Sequence, residues 1–366
     1  MWIFLASLSL FTLVAGQGYQ EDPCMSYDHQ VHGQRGICAH ENCCPYNNYI
    51  SGLCPTQPSY IRCCFSTPTC LDQSQKAVWI SVYRDNTTPQ ETATAFAELA
   101  SIGVTRVYVS VWHNGLVYFN SPTMTNLIGS AGFARDSLQW AVDEAKKNGM
   151  EIYAWYEYGL MASWGGPDAN AFSRYARDNG WVRGEARGWT WLIASHTDVL
   201  YFMSDIINDA INNYPGLDGV QLDDHFAQPS EFGYLRGTMT TAAEHVLKNV
   251  PQGMVSLSPS PMDWSRDNNN VDWEQWYKDD IGFFEYVPQL YYTTYSAFSS
   301  ELTKTINRLG KDWLLSGIRV NGSGAPTAWS EVVQMLDRCH AEGIAYSIWY
   351  SEGVLDTYPS QFKNYW

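Results

Sequence analysis

From Ala77 to the C-terminus, short apolar runs alternate with longer amphipathic ones, and this rhythm limits the possible folds more than any other feature. The runs that read as strands are Ala77–Val82, Arg106–Val111, Met150–Trp155, Gly219–Asp223, Met254–Ser258, Val287–Tyr291, Leu315–Val320 and Ala345–Trp349. Helical periodicity lies between them at Pro89–Ile102, Asp136–Asn148, Asp198–Asn213, Thr238–Asn249, Ser299–Leu309 and Ala328–Glu342. Punctuation agrees with this reading. Thr88 stands before Pro89 at a helix start, and Gly103, Gly149 and Gly343 follow helix ends. Eight strand–helix units predict an α/β fold, a (β/α)8 barrel of the TIM type over residues 77–366. An open doubly wound sheet is the competing arrangement, because the third connection is long.

The residues before the barrel read differently. Positions 1–16 form an uncharged apolar run ending in Ala15 and Gly16, which reads as a secretory signal peptide and implies a secreted, extracellular protein. Between residues 17 and 70 lie Cys24, Cys38, Cys43, Cys44, Cys54, Cys63, Cys64 and Cys70. An even number of cysteines behind an export signal predicts a small disulfide-rich module. A zinc site competes poorly with that reading, since no C-x-x-C pair occurs. The runs G-Q-R-G-I-C (33–38), G-L-C-P (52–55) and R-C-C (62–64) resemble the cysteine-rich modules that precede secreted wall-degrading hydrolases. Residues 71–76 read as a linker. Asn86 and Asn321 begin N-x-S/T sequons and are candidate glycosylation sites. Cys339, the odd cysteine, falls in a helical run and reads as a buried thiol.

Charge narrows the partners. With 38 acidic and 22 basic residues the net charge is -16, which disfavours nucleic acid. No later stretch is apolar enough to span a membrane. The oligomeric state is left open. There is no G-x-G-x-x-G after a strand, no phosphate loop, no H-E-x-x-H and no G-x-S-x-G, so neither cofactor nor metal is expected.

Chemistry in such a barrel collects at the C-terminal ends of the strands. The fourth strand runs Asp218-Gly219-Val220-Gln221-Leu222-Asp223-Asp224-His225, ending in two adjacent carboxylates. Alternation turns Gln221 and Asp223 to one side, the lumen of a barrel. Asp223 is therefore the first candidate for nucleophile or charge stabiliser in glycosidic cleavage, with Asp224, Asp263 and Glu157, in that order, as candidates for the general acid. Each also has a plainer reading; Asp263, for instance, could cap the turn it opens. The other strand ends supply Arg84, His113, Trp155, Trp264, Gln289, Tyr291, Arg319, Trp349 and Glu352. This mix of aromatic, amide and charged groups suits a polysaccharide or oligosaccharide. His113 and His225 read as hydrogen-bonding loop residues.

With Val78-Trp79-Ile80-Ser81, Glu151-Ile152-Tyr153-Ala154-Trp155, Asp218–Asp224 and Pro288-Gln289-Leu290-Tyr291 in hand, the chain from about Lys76 to Asp356 resembles the glycosyl-hydrolase-like family 10 barrels. The resemblance implies a barrel similar to retaining glycosidases. Two departures stand out. His225 occupies the position of a tyrosine in the D-D-Y pattern, and Ala194-Ser195-His196-Thr197 replaces an N-P-G-like turn. Aligned on Asp218-Gly219, the family 18 chitinases would place a glutamate proton donor where His225 stands, which argues against ordinary chitinase chemistry. The expectation is a secreted glycoside hydrolase. The alternatives are a carbohydrate-binding, lectin-like barrel without turnover and a structural matrix protein.

Overall fold

The computed structural model describes residues 37–40, 49–50, 53, 61–64 and 75–366 apart from 323. The expected signal peptide, most of the linker and nearly all of the expected disulfides lie outside the described residues. Cys63 is buried and disulfide-bonded. The chain divides into two compact units, Met1–Thr69 and Cys70–Trp366. In the first, Ile37–His40, Tyr49–Ile50 and Ile61–Cys64 form a three-stranded antiparallel sheet with the third strand in the middle.

The second unit is built on nine parallel strands. They are β1 (Lys76–Ile80), β2 (Arg106–Ser110), β3 (Glu151–Tyr156), β4 (Gly219–Asp223), β5 (Val255–Ser258), β6 (Glu285–Tyr286), β7 (Gln289–Leu290), β8 (Leu315–Arg319) and β9 (Ala345–Trp349). Their order in the sheet is β6-β5-β4-β3-β2-β1-β9-β8-β7. The two edges of this sheet belong to one segment of chain. Tyr286 pairs with Leu257 on β5 and bridges Leu314 at the start of β8, so the ring closes.

The sixth strand, expected as Val287–Tyr291, is thus two pieces parted by Val287 and Pro288. Proline has no N–H to give to a ladder. The carbonyl of Pro288 still accepts from Gly317 N–H at 2.9 Å, while Val287 and Gln289 donate to Leu257 and Pro259 carbonyls at 2.8 Å each. Gly317 permits this approach, because a Cβ there would lie 2.8 Å from the Pro288 oxygen.

Helices α1 (Pro89–Ile102), α2 (Ser137–Lys147), α3 (Thr197–Asn213), α4 (Arg236–Asn249), α5 (Met262–Asn268), α6 (Trp273–Lys278), α7 (Tyr295–Leu309) and α8 (Trp329–Glu342) pack outside the ring. Thr88 caps α1 by accepting from Glu91 N–H at 3.2 Å. The long third connection contains an antiparallel sheet of Met161–Trp164, Val182–Ala186 and Trp189–Leu192. No helix among the described residues is long and apolar enough to cross a membrane.

Strand alternation divides the core. Outward residues such as Val78, Ile80, Val107, Val109, Val220 and Leu222 meet the helices, and all six are fully buried. The lumen holds Trp79, Tyr108, Tyr153 and Trp155. It also holds a chain of polar contacts. Trp79 on β1 donates to Gln221 on β4 at 2.6 Å, a contact between non-neighbouring strands that must cross the ring. Gln221 donates to Ser256 at 3.1 Å, and Ser256 donates to Glu285 at 2.8 Å. Glu285 also accepts from Tyr108 at 2.7 Å and pairs with Arg106 at 2.5 Å.

Asn86 is fully buried, with its Oδ1 accepting from Thr92 at 2.9 Å. A glycan cannot be carried on a side chain enclosed in this way, so the expectation for this sequon is corrected. Protein from a secretory host should show an unmodified Asn86 by peptide mass mapping, and a hexosamine-bearing Asn86 peptide would contradict this packing. Asn321 is half-buried and donates to Thr357 at 3.2 Å.

Candidate active site

β4 delivers Asp223 to the mouth of the lumen, where it is 3% exposed. One of its oxygens accepts from the Gln289 amide, which the second piece of the divided strand presents across the ring. His225 lies over the same carboxylate, its Nδ1 at 3.4 Å from Asp223 Oδ2, 3.5 Å from Asp224 Oδ1 and 2.9 Å from the Glu157 carbonyl oxygen. Three oxygens around one ring nitrogen require an N–H there, since a lone pair facing them would be repelled. Burial works against charge on this ring, but the Asp224 and Asp223 carboxylates outweigh it and hold the imidazolium up to about 10.

Glu157 follows β3 and turns into the same mouth. It accepts from Ser110 Oγ at 2.8 Å and approaches Tyr350 OH at 3.4 Å. Burial, then the negative charge of Asp223, pushes Glu157 up to about 7. Asp223 itself is pushed up to about 6, first by burial and then by Asp224, against the opposing pull of His225. Asp224 accepts from Ser260 at 2.5 Å and borders an open groove of about 480 Å³. The two innermost carboxyls therefore differ. Asp223 is tied to an amide and an imidazolium that favour its ionised form, whereas Glu157 has hydroxyl partners and stays protonated to higher pH.

The remaining candidates divide between the mouth, its rim and places away from both. Trp155 lies in the lumen and Tyr350 packs on it, with ring centroids 6.1 Å apart. Trp349 stacks on Tyr291 at 4.5 Å with planes 11° apart, and Trp79 meets Tyr291 edge-on at 6.3 Å. The Trp349–Tyr350 peptide is cis. Trp264, 55% exposed, lines the groove beside Asp224, Gln289 and Tyr291. His113 packs on Tyr158 at 4.2 Å and meets Tyr83 edge-on, and burial, then the charge on His225, lowers it to about 3, leaving a neutral ring.

Four residues need correction. Asp263 is held by Lys304, Arg308 and Arg266 at 3.0 Å each, and the hydrogen bonds from Lys304 and Arg308 lower it to about 2. A carboxyl kept ionised by three cations cannot serve as an acid. Arg84 pairs with Asp356 at 2.5 Å and reaches Asp85 at 3.7 Å, so it clamps the rim between the first and last loops instead of reaching Asp223. Arg319 is 6% exposed and donates to Thr327 and to the Ala325 carbonyl, bracing its own loop. Glu352 lies on the Arg84 side, where Asp85 and Asp356 are its charged neighbours.

Reading strand ends alone missed Ser110, Ser260 and the excursion that carries Trp164 and Trp189. Ser110 was discoverable, because it shares the inward register of Trp155. Asp223, Asp224 and His225 also form a cluster whose ligand atoms lie within 4.8 Å of one another. When His225 is charged, its Nδ1 proton fills the place between these carboxylates.

A family model described as Glycosyl hydrolase-like 10 matches residues 74–244. Among solved structures, the catalytic domain of the β-amylase from Paenibacillus polymyxa superposes with a TM-score of 0.55 at 10% identity, covering 81% of this chain and 98% of that one. A family 36 α-galactosidase from Geobacillus stearothermophilus gives 0.51 at 10% identity, covering 81% of this chain and 42% of that one. No curated protein matches the sequence. At this identity the structures share the barrel alone. Residues 75–366 therefore form a TIM-type barrel, of which residues 74–244 match the Glycosyl hydrolase-like 10 model.

Proposed function

We propose that this protein is a secreted glycoside hydrolase that cleaves a polysaccharide between Asp223 and Glu157. The observation that carries the reading is that a buried carboxyl, Asp223, and a half-buried one, Glu157, share one aromatic-walled mouth and are pushed to about 6 and about 7. Glu157 then acts as the general acid at the glycosidic oxygen. Asp223 is the ionised partner that attacks or stabilises the oxocarbenium-like centre. His225 and Gln289 hold Asp223 oriented and charged, while Asp224, hydrogen-bonded to Ser260, lines the approach. A lectin would need the aromatic walls but has no use for a desolvated acid pair, which favours turnover.

The active form carries Asp223 ionised and Glu157 protonated. Activity should rise with pH through about 6 and fall through about 7, giving a narrow bell. The test incubates the purified full chain with wall polysaccharides, including peptidoglycan and amino-sugar polymers, and follows reducing ends with pH. Retention on a polymer with no product at any pH would establish the lectin reading instead.

A further inference from the structure

Resting on the reading of the mouth as a glycan site, we infer that the protein grips the interior of a linear, non-acidic polysaccharide on both sides of its carboxylates and cuts it internally. The argument starts from Trp164, an indole left 54% exposed yet firmly held. Its backbone N–H donates to Asn114 Oδ1 at 3.0 Å, and its ring meets Trp189 edge-on at 4.6 Å. It also lies over Gly188, where a Cβ would come within 2.7 Å of the ring. Gly188 has φ +83°, so the hairpin tip favours glycine twice over. An exposed aromatic whose backbone is hydrogen-bonded and whose ring packs on Trp189 and Gly188 loses little entropy on binding, as a stacking platform requires. Large exposed apolar groups on a rim mark binding surfaces.

This platform connects to the reacting groups. Trp189 lies 5.1 Å from Tyr158 and 5.9 Å from His225, ring to ring. Trp164 and Trp189 belong to the connection after β3, and Trp264 belongs to the connection after β5. Those strands flank β4, which carries Asp223. The two exposed indoles therefore belong to the connections on either side of the strand that carries Asp223, and a chain stacked on both would run past that carboxylate. A site for chain ends would need one side closed.

Charge selects the polymer. Lys304, the cation lining the groove, is already paired with Glu301 at 2.8 Å and Asp263 at 3.0 Å. On the other side, Arg187 at the hairpin tip is paired with Glu231 at 2.8 Å. The groove thus presents Asp224 and Glu301 with its lysine already neutralised, which repels uronates and sulfated chains and accepts neutral or amino sugars.

The test is affinity electrophoresis of the full chain in gels carrying glucomannan, partially deacetylated chitin or polygalacturonate, with product sizing alongside. Retardation is expected in at least one of the first two gels and not in the third. Trp164→Ala and Trp264→Ala should each weaken retention about tenfold, the size of a lost stacking contact. Tyr201→Ala, an exposed aromatic on the outer face of α3, is the control and should change nothing. Products should be intermediate oligosaccharides, with viscosity falling before reducing ends accumulate. Retention unaltered in both tryptophan variants, no retention at all, or single sugars released from ends would overturn the inference. Retention through both indoles without any cleavage would instead remove the hydrolase reading and leave the platform standing.

Discussion

Replacing Glu157 with glutamine should lower kcat by about 10²–10⁴-fold, the usual worth of a general acid, and abolish the alkaline limb of the pH profile. Glutamine keeps the shape and the Ser110 contact but has no proton to give. Asp223→Asn should lose activity on the same scale by a different route, since it removes the negative charge that the reacting carbon needs. If Asp224 were the acid, Glu157→Gln would retain activity and the falling limb, and the assignment made here would be wrong. The same substitution has a consequence for stability. Glu157 titrates at about 7 in the folded protein against 4.5 for a free glutamate, so the folded state binds the extra proton. Stability therefore declines as pH rises from about 4.5 to about 7, and the full penalty applies above that window. Glu157→Gln removes it. At pH 8 the variant should be more stable by about 1–3 kcal/mol, a figure discounted because the carboxyl is partly open to solvent, and at pH 4 the difference should vanish. A denaturation series at both pH values reads this directly. An inactive variant that is no more stable at pH 8 would show that the carboxyl is not desolvated.

Arg106→Met should cost about 3–5 kcal/mol of folding stability, because it leaves the Glu285 carboxylate buried without its cation. Arg106 is 6% exposed, joins Glu285 to Glu151 at 2.5 and 2.6 Å, and lies over the Tyr153 ring at 4.6 Å. Glu285 has no exposure at all and would keep only hydroxyl donors, Tyr108 and Ser256. Removing both charges together, as Arg106→Met with Glu285→Leu, should recover much of the loss. The comparison isolates the uncompensated charge from the lost packing. Urea unfolding of the parent, the two single variants and the double variant measures it, and an Arg106→Met loss below about 1 kcal/mol would mean that water reaches Glu285.

Much of this was legible before any coordinates. The run Gly219–Asp223 and the final strand Ala345–Trp349 fall where apolar alternation placed them, and Pro89–Ile102 is bounded as Thr88, Pro89 and Gly103 indicate. These features are local: period, caps and turn residues determine them. The ranking of the acids was not local. From the sequence, Asp263 ranked ahead of Glu157 as a carboxylate beyond a strand. Yet Lys304 and Arg308, which ionise it, lie on α7, more than forty residues away. Glu157 owes its raised titration first to burial among the walls of the mouth and then to Asp223, on a strand 66 residues further along. Asn86 carries a correct sequon, but no pattern within the triplet shows that Thr92 will enclose it. Pairings across the ring decide such matters, and a single sequence records them only indirectly.

The divided strand gives the ring a seam. Glu285–Leu290 is held by two short ladders, Glu285–Tyr286 along β5 and Gln289–Leu290 along β8, with single backbone bonds to the other neighbour at each end. Gln289, which steadies Asp223, sits on the upper half, and Glu285, which anchors the floor, on the lower. Because Pro288 has no N–H to give, the ladder is thinnest between the halves, and the loop above can be lengthened or redirected with less pull on the buried charges below. A barrel joined in this way can change what it holds while keeping what holds it.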